Sequence, residues 1–184
     1  MSALEAEGCL FESDRGHQFL MFDFLKDTNF LNAFNSEEHF YFKNVNLPLL
    51  TWDAFIDQID KAINNNDPIR YSNNYGINLF QMYESDLVDN FLKEYSKLNN
   101  KFTSSAHIYM SLSTLSEGLG RHNDPSDVLY WQVIGKTLWV VEDKIQKTYV
   151  LEPNDAIYIP YRMWHTVIPL TPRVGISLGI DKSE

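Results

Sequence analysis

His122 and Asp124, separated by Asn123, and a distant His165 in the segment Ile159-Pro160-Tyr161-Arg162-Met163-Trp164-His165 are the residues of this chain best suited to chemistry. Side chains alternate across an extended segment, so a histidine and an aspartate two positions apart point to the same side and can face one cavity. Two imidazoles and one carboxylate on one face of a divalent metal leave the opposite positions open. Non-heme Fe(II) oxygenases use that arrangement to admit substrate and dioxygen. A triplet of this kind also arises by chance, as a polar loop with Asp124-Pro125 as turn punctuation and a hydrogen-bonded strand histidine. Its weight depends on the elements that carry it.

From Ala106 onward, short extended runs alternate with turn residues, the pattern of antiparallel strands closing into a barrel or double sheet. The expected strands are His107 to Leu115, Val128 to Ile134, Thr137 to Val141, Ala156 to Ile159, Trp164 to Ile168 and Val174 to Ile180. Gly135-Lys136 predicts a β-hairpin between the second and third of these. Leu151-Glu152-Pro153-Asn154-Asp155 predicts a tight turn, and Pro160 interrupts pairing after Ile159.

Residues 1 to 101 read differently. Thr51 is an N-cap for a helix from Trp52 to Ile63, with Trp52, Phe55, Ile56, Ile59 and Ile63 on one stripe. A second amphipathic helix is expected over Ser85 to Leu98, ended by Asn99-Asn100, and Asn64 to Pro68 forms a loop. His39 to Val45 is aromatic and β-branched enough for a strand, and Phe19, Phe22, Phe24, Phe30 and Phe34 are expected to cover one sheet or form a dimer contact.

The 184 residues, 44% of them hydrophobic, suffice for one core, so the expectation is a single domain over 1–184: a mixed part over 1–101 packed on a β core over 102–184. A net charge of -10 disfavours a nucleic-acid backbone as partner, which needs a basic surface to displace counterions. Cys9 is the lone cysteine and forms no internal disulfide; with no basic, apolar leader after Met1, a reducing cytoplasm is expected. No window approaches the roughly 20 apolar residues that a membrane span needs.

The series His122-x-Asp124, Gln132-Val133-Ile134-Gly135-Lys136, Leu151-x-Pro153-x-Asp155-Ala156-x-Tyr158-Ile159-Pro160 and Trp164-His165 resembles, in order and spacing, the cupin-like JmjC hydroxylases. These are iron- and 2-oxoglutarate-dependent oxygenases with a double-stranded β-helix core. The likeness covers 106–180, and more weakly Phe30 to Ile63. It implies a mainly β fold with flanking helices and a jelly-roll core, Fe(II) held by His122, Asp124 and His165, and 2-oxoglutarate as cosubstrate. It further implies dioxygen and an unidentified protein side chain or small molecule as substrates, with the cosubstrate decarboxylated to succinate as the substrate is hydroxylated.

One position departs from the pattern. The family commonly places a basic residue two positions after the hairpin glycine to pair with the far carboxylate of 2-oxoglutarate, and here Thr137 stands there, with Lys136 directly after the glycine. A one-residue shift turns a strand side chain to the other face, so Lys136 reaches inward only through a bulge. Arg173, eight residues after His165, is the rival, with planar donors suited to a bidentate carboxylate contact. Two other classes stay open: a metal-binding cupin with another activity, and a noncatalytic β-barrel that binds a partner through exposed aromatics. Oligomeric state is not readable from the chain.

Overall fold

Asp127–Ile134 is buried along almost its whole length, as only a strand covered on both faces can be. It lies at the centre of a computed structural model that describes residues 23–47, 50–65, 69–72, 79–82, 102–113 and 118–182. In chain order the elements are a 3-10 turn (Asp23–Lys26), α1 (Thr28–Asn35), β1 (Phe40–Phe42), α2 (Trp52–Asn65), β2 (Ile69–Ser72), β3 (Leu79–Met82), β4 (Phe102–Ser111), β5 (Asp127–Ile134), β6 (Thr137–Glu142), β7 (Gln146–Leu151), β8 (Ala156–Ile159), β9 (Trp164–Pro169) and β10 (Arg173–Lys182).

The strands form a seven-stranded sheet of order β1-β8-β5-β10-β4-β3-β2 and a three-stranded sheet of order β7-β6-β9. Every pairing is antiparallel. From β4 onward the chain passes back and forth between the two sheets, with His122 bridging to His165 on the three-stranded side before β5 returns to the larger one. That alternation is the double-stranded β-helix, so the expected jelly-roll core is present.

Two apolar clusters follow from it. One, outside the larger sheet, joins Ile108, Leu129, Trp131, Tyr158, Ile176 and Leu178 to Phe30 of α1 and Phe55 of α2. The other fills the space between the sheets with Tyr130, Trp139, Val141, Leu151, Ile157 and Ile159. Strand alternation sends odd and even residues of β5 and β10 to these different layers.

At the start of α1 the Asp27 carboxylate accepts the N–H groups of Asn29 and Phe30, which sets Phe30 against the sheet. Phe24 and Phe34 pack there too, so the described part of the aromatic stretch covers the sheet from within the chain, while Phe19 and Phe22 lie outside the described residues. In α2, Phe55 is buried and Trp52 and Ile59 lean on the core, but Ile56 and Ile63 are exposed, so the apolar stripe is narrower than its five residues imply. The helix expected over Ser85 to Leu98 lies outside the described residues.

The expected hairpin at Gly135-Lys136 does not form. β5 and β6 belong to different sheets, and the chain turns a corner between them. Gly135 has φ +72, and a Cβ there would sit 2.0 Å from the carbonyl oxygen of Pro172, so the corner requires glycine both for its backbone and for its closeness to the β9–β10 loop. The actual hairpin joins β6 to β7, a strand not anticipated because its Gln-Lys-Thr-Tyr-Val-Leu sequence is polar and mostly exposed. The Leu-x-Pro-x-Asp turn does form: the Asp155 N–H donates to Glu152 O, and its carboxylate accepts from Glu152 N–H, Asn44 N–H, the Tyr41 hydroxyl and Lys43.

Candidate metal centre

His165 is the second residue of β9 and points inward, 2% exposed. His122 lies opposite it. The two backbones exchange hydrogen bonds, His122 N–H to His165 O at 2.9 Å and His165 N–H to His122 O at 2.8 Å, with ring centroids 4.3 Å apart. The segment around His122 is not the regular strand that the spacing suggested; it is a single bridge, and Asp124 lies just beyond it, fixed by Arg162 N–H donating to its carbonyl at 3.1 Å. The expected convergence nevertheless occurs. One ligand atom from each of His122, Asp124 and His165 lies within 4.8 Å of the others, and His165 Nε2 is 3.5 Å from Asp124 Oδ2.

Both imidazoles are presented in a metal-binding form. Nδ1 of His122 is 2.9 Å from Gly120 O and Nδ1 of His165 is 3.0 Å from Met163 O. A carbonyl oxygen only accepts, so each Nδ1 carries the hydrogen and each Nε2 keeps its lone pair. Burial pushes the His165 imidazole below its ordinary pKa, helped by the neighbouring His122 and opposed by the Met163 carbonyl and Asp124. A neutral imidazole is the form that binds a metal. The ring of Trp139 stacks on His165 at 5.3 Å and 16°.

The cavity in front of these groups is lined by Tyr109, Val128, Tyr130, Trp139 and Val167, with Leu119 on its rim and Arg173 and Ser177 from β10. Arg173 is 3% exposed; its guanidinium donates to the Tyr130 hydroxyl at 2.9 Å, while its Nε–H is buried with no partner among the described residues. Burial raises the Tyr130 phenol, against the pull of Arg173, so it stays protonated and donates to Gln132 Oε1. A side chain at Gly175 would overlap that hydroxyl, its Cβ lying 1.8 Å away, so the glycine makes the room that lets Tyr130 reach Arg173.

The three residues weighed for the cosubstrate therefore separate. Arg173 faces the cavity that holds the triplet. Lys136 does not: its Nζ is 2.6 Å from Glu152 Oε1 on the outside, and no bulge turns it inward. Thr137 is fully buried but is occupied, donating to Gln132 Oε1 at 2.7 Å and accepting from Trp139 Nε1 at 3.2 Å. Tyr158 belongs to the outer core, its hydroxyl 2.7 Å from Asp127 Oδ2. Trp164 is not packed in the core either; it is 40% exposed beneath Arg121. Trp139 and Asp127 escaped the sequence reading. Trp139 lies two residues beyond Thr137 on the same strand face, and Asp127 holds the loop before His165 through the Tyr161 N–H at 2.7 Å.

No family model matches the sequence, and no curated protein does. Solved structures do. YcfD, a ribosomal oxygenase from Escherichia coli in complex with cobalt and succinic acid, superposes with a TM-score of 0.64 at 16% identity, over 85% of this chain and 52% of that one. The two chains share one fold. YcfD in complex with cobalt and 2-oxoglutarate gives a TM-score of 0.59 at 15% identity, again over 85% and 52%, and another YcfD structure gives 0.63 at 18% over 85% and 53%. The chain thus spans about half the length of those YcfD structures. What the two share at this identity is the cupin-like double-stranded β-helix.

Proposed function

We propose that this protein is an Fe(II)- and 2-oxoglutarate-dependent oxygenase that hydroxylates a protein side chain or a small molecule. The observation that carries the reading is one cavity holding both a His-Asp-His triplet and a buried guanidinium with an unpaired N–H. A buried cation without an anionic partner is costly, and a carboxylate placed against Arg173 would relieve that cost through charge-assisted hydrogen bonds. His122, Asp124 and His165 would hold the metal. Bound there, Fe(II) with 2-oxoglutarate and dioxygen supplies the oxidising chemistry, with succinate as coproduct.

The chain's own contribution is position. Gly120 and Met163 carbonyls fix the imidazole tautomers, Trp139 holds the His165 ring plane and keeps water from that side, and Tyr130 orients the Arg173 guanidinium, which would take a carboxylate of the cosubstrate. Thr137 ties Trp139 to Gln132, so it acts behind the cavity wall rather than on the cosubstrate. The organic substrate would enter past Leu119, and the acidic net charge of -10 favours a cationic or neutral one over a nucleic acid. Among the described residues no helix is long and apolar enough to cross a membrane.

The test is succinate formation from 2-oxoglutarate, with thermal unfolding alongside. Fe(II)-dependent succinate and a 2-oxoglutarate-induced rise in unfolding temperature in the presence of metal are expected, because a ligand of the native state raises apparent stability. His122→Ala should abolish both. Metal binding without any response to 2-oxoglutarate would instead favour a cupin with another activity, and absence of metal binding would favour a noncatalytic module.

A further inference from the structure

We propose that Arg121 is a positioning residue that clamps His122 into the metal centre from the opposite face of the sheet. The inference rests on reading His122, Asp124 and His165 as a metal site. His122 belongs to no strand: among the described residues its own backbone is tied to the barrel by the bridge to His165, Asp124 is held two residues on by the Arg162 N–H, and residues 118–120 before it offer few anchors. Gly118 offers no side chain and approaches β9 so closely that a Cβ would lie 2.2 Å from Val167 O; Gly120 has φ +74, and Leu119 is exposed. Backbone with two glycines in three residues has many conformations to lose on ordering. Something outside the bridge must hold it.

Arg121 meets that need. Being next to His122 in an extended segment, it points the other way, onto the outer face of the three-stranded sheet. There its Nε and one terminal nitrogen each lie 2.7 Å from a different oxygen of Glu142, and its guanidinium carbon sits 4.0 Å over the Trp164 ring. Glu142 and Trp164 are directly opposite one another across β6 and β9, and the next register pair is Val141 with His165. The clamp therefore ties three neighbouring backbones at the level of the ligands, back to back with the cavity. The planar fork matches both carboxylate oxygens and also stacks on the indole, which an ammonium cannot do with the same geometry.

An exposed ion pair adds little to global stability, and the side chains here are 53% and 32% exposed, so removing it should leave unfolding nearly unchanged. Its effect falls on where His122 stands. Partners outside the ligand set typically change metal affinity about 10- to 100-fold when lost.

The experiment is a Co(II) titration of the full chain, followed by calorimetry and visible absorption, for wild type, Arg121→Ala, Arg121→Lys, Glu142→Gln and His122→Ala. Arg121→Ala and Glu142→Gln should each weaken Co(II) binding about tenfold, with Arg121→Lys between them and wild type. At saturating Co(II) the absorption bands of Arg121→Ala should move toward those of His122→Ala, whereas the metal-free unfolding temperature should stay within about 2 °C of wild type. A loss of general packing would lower that temperature without moving the bands. Wild-type affinity and spectrum in both Arg121→Ala and Glu142→Gln would overturn the clamp. Failure of the wild type itself to bind Co(II) would instead remove the metal reading on which it rests.

Discussion

Strands β5, β8 and β10 of the larger sheet are buried on both faces, whereas the three-stranded sheet buries only its inner one. Leu138 and Val140 on the outer face of β6 are half-buried, and Val150 of β7 and Ile168 of β9 are exposed. The two sheets divide the work accordingly. The larger sheet, with β1 at its edge and covered by α1 and α2, carries most of the apolar burial and one end of the cavity, Arg173 and Tyr130. The smaller one contributes little mass but supplies His165 and, through the bridge, His122. Stability and ligand geometry thus reside mainly on different sheets, with the cavity where they meet.

If that division holds, damage to the covered side of the larger sheet should unfold the protein without altering the metal centre of molecules that stay folded. Phe55→Ala is the severest case. The ring is fully buried between α2 and the sheet, and truncation to alanine should cost about 3–5 kcal/mol, from lost transfer free energy and the cavity left behind. Chemical denaturation measures that cost. Co(II) affinity, determined well below the unfolding transition, should match wild type. A large fall in affinity would mean that the two sheets are not separable in this way.

An intermediate effect is expected at the turn that leads from the smaller sheet into β8. Burial acts to raise the Asp155 carboxyl, but the N–H groups of Glu152 and Asn44, Lys43 and the Tyr41 hydroxyl outweigh it and hold the group below the ordinary carboxylate range. In return the Tyr41 phenol, buried and facing that carboxylate, is pushed up to about 12. A carboxyl depressed in the folded state contributes stability that is present above its unfolded pKa, about 4, and is lost as pH falls through the folded value. Asp155→Asn should therefore cost about 1–3 kcal/mol at neutral pH, by leaving donors unmatched. The difference from wild type should shrink as the solution is acidified below pH 4. Unfolding free energies measured across that range test it; a difference independent of pH would assign the cost to packing.

The same contrast explains what was legible in the sequence. His122, Asp124 and His165 stood out because two imidazoles and a carboxylate in that order and spacing match a metal-ligand set, and strand-like runs follow them in the chain. The Leu-x-Pro-x-Asp turn was legible because its chemistry is local. The corner at Gly135 was misread as a hairpin because a glycine turn has the same sequence whether the next strand pairs with the last or crosses to another sheet. β7 was passed over because an exposed edge strand lacks the alternation that marks a half-buried one. The choice between Lys136 and Arg173 turned on side-chain direction, which follows from sheet membership and not from local spacing. In α2, Ile56 and Ile63 carry the helical period but face solvent, since period alone does not say how wide the covered stripe is.

The smallest effect should come from the outer face of the three-stranded sheet. Ile168 is 41% exposed and lies opposite Leu138 on β6. Threonine keeps the β-branch that suits a pleated surface, so Ile168→Thr removes apolar area without disturbing backbone preference. A substitution at such a site should change stability by no more than about 0.5 kcal/mol. Co(II) affinity should be unaffected, because Ile168 lies toward the end of β9 remote from the His122 bridge. The measurement is the unfolding midpoint at two protein concentrations well apart. A loss several times larger that also grows with concentration would mean that this face is covered when molecules associate. The exposed sheet would then resemble the buried one, and the division drawn between them would have to be redrawn for the assembled protein.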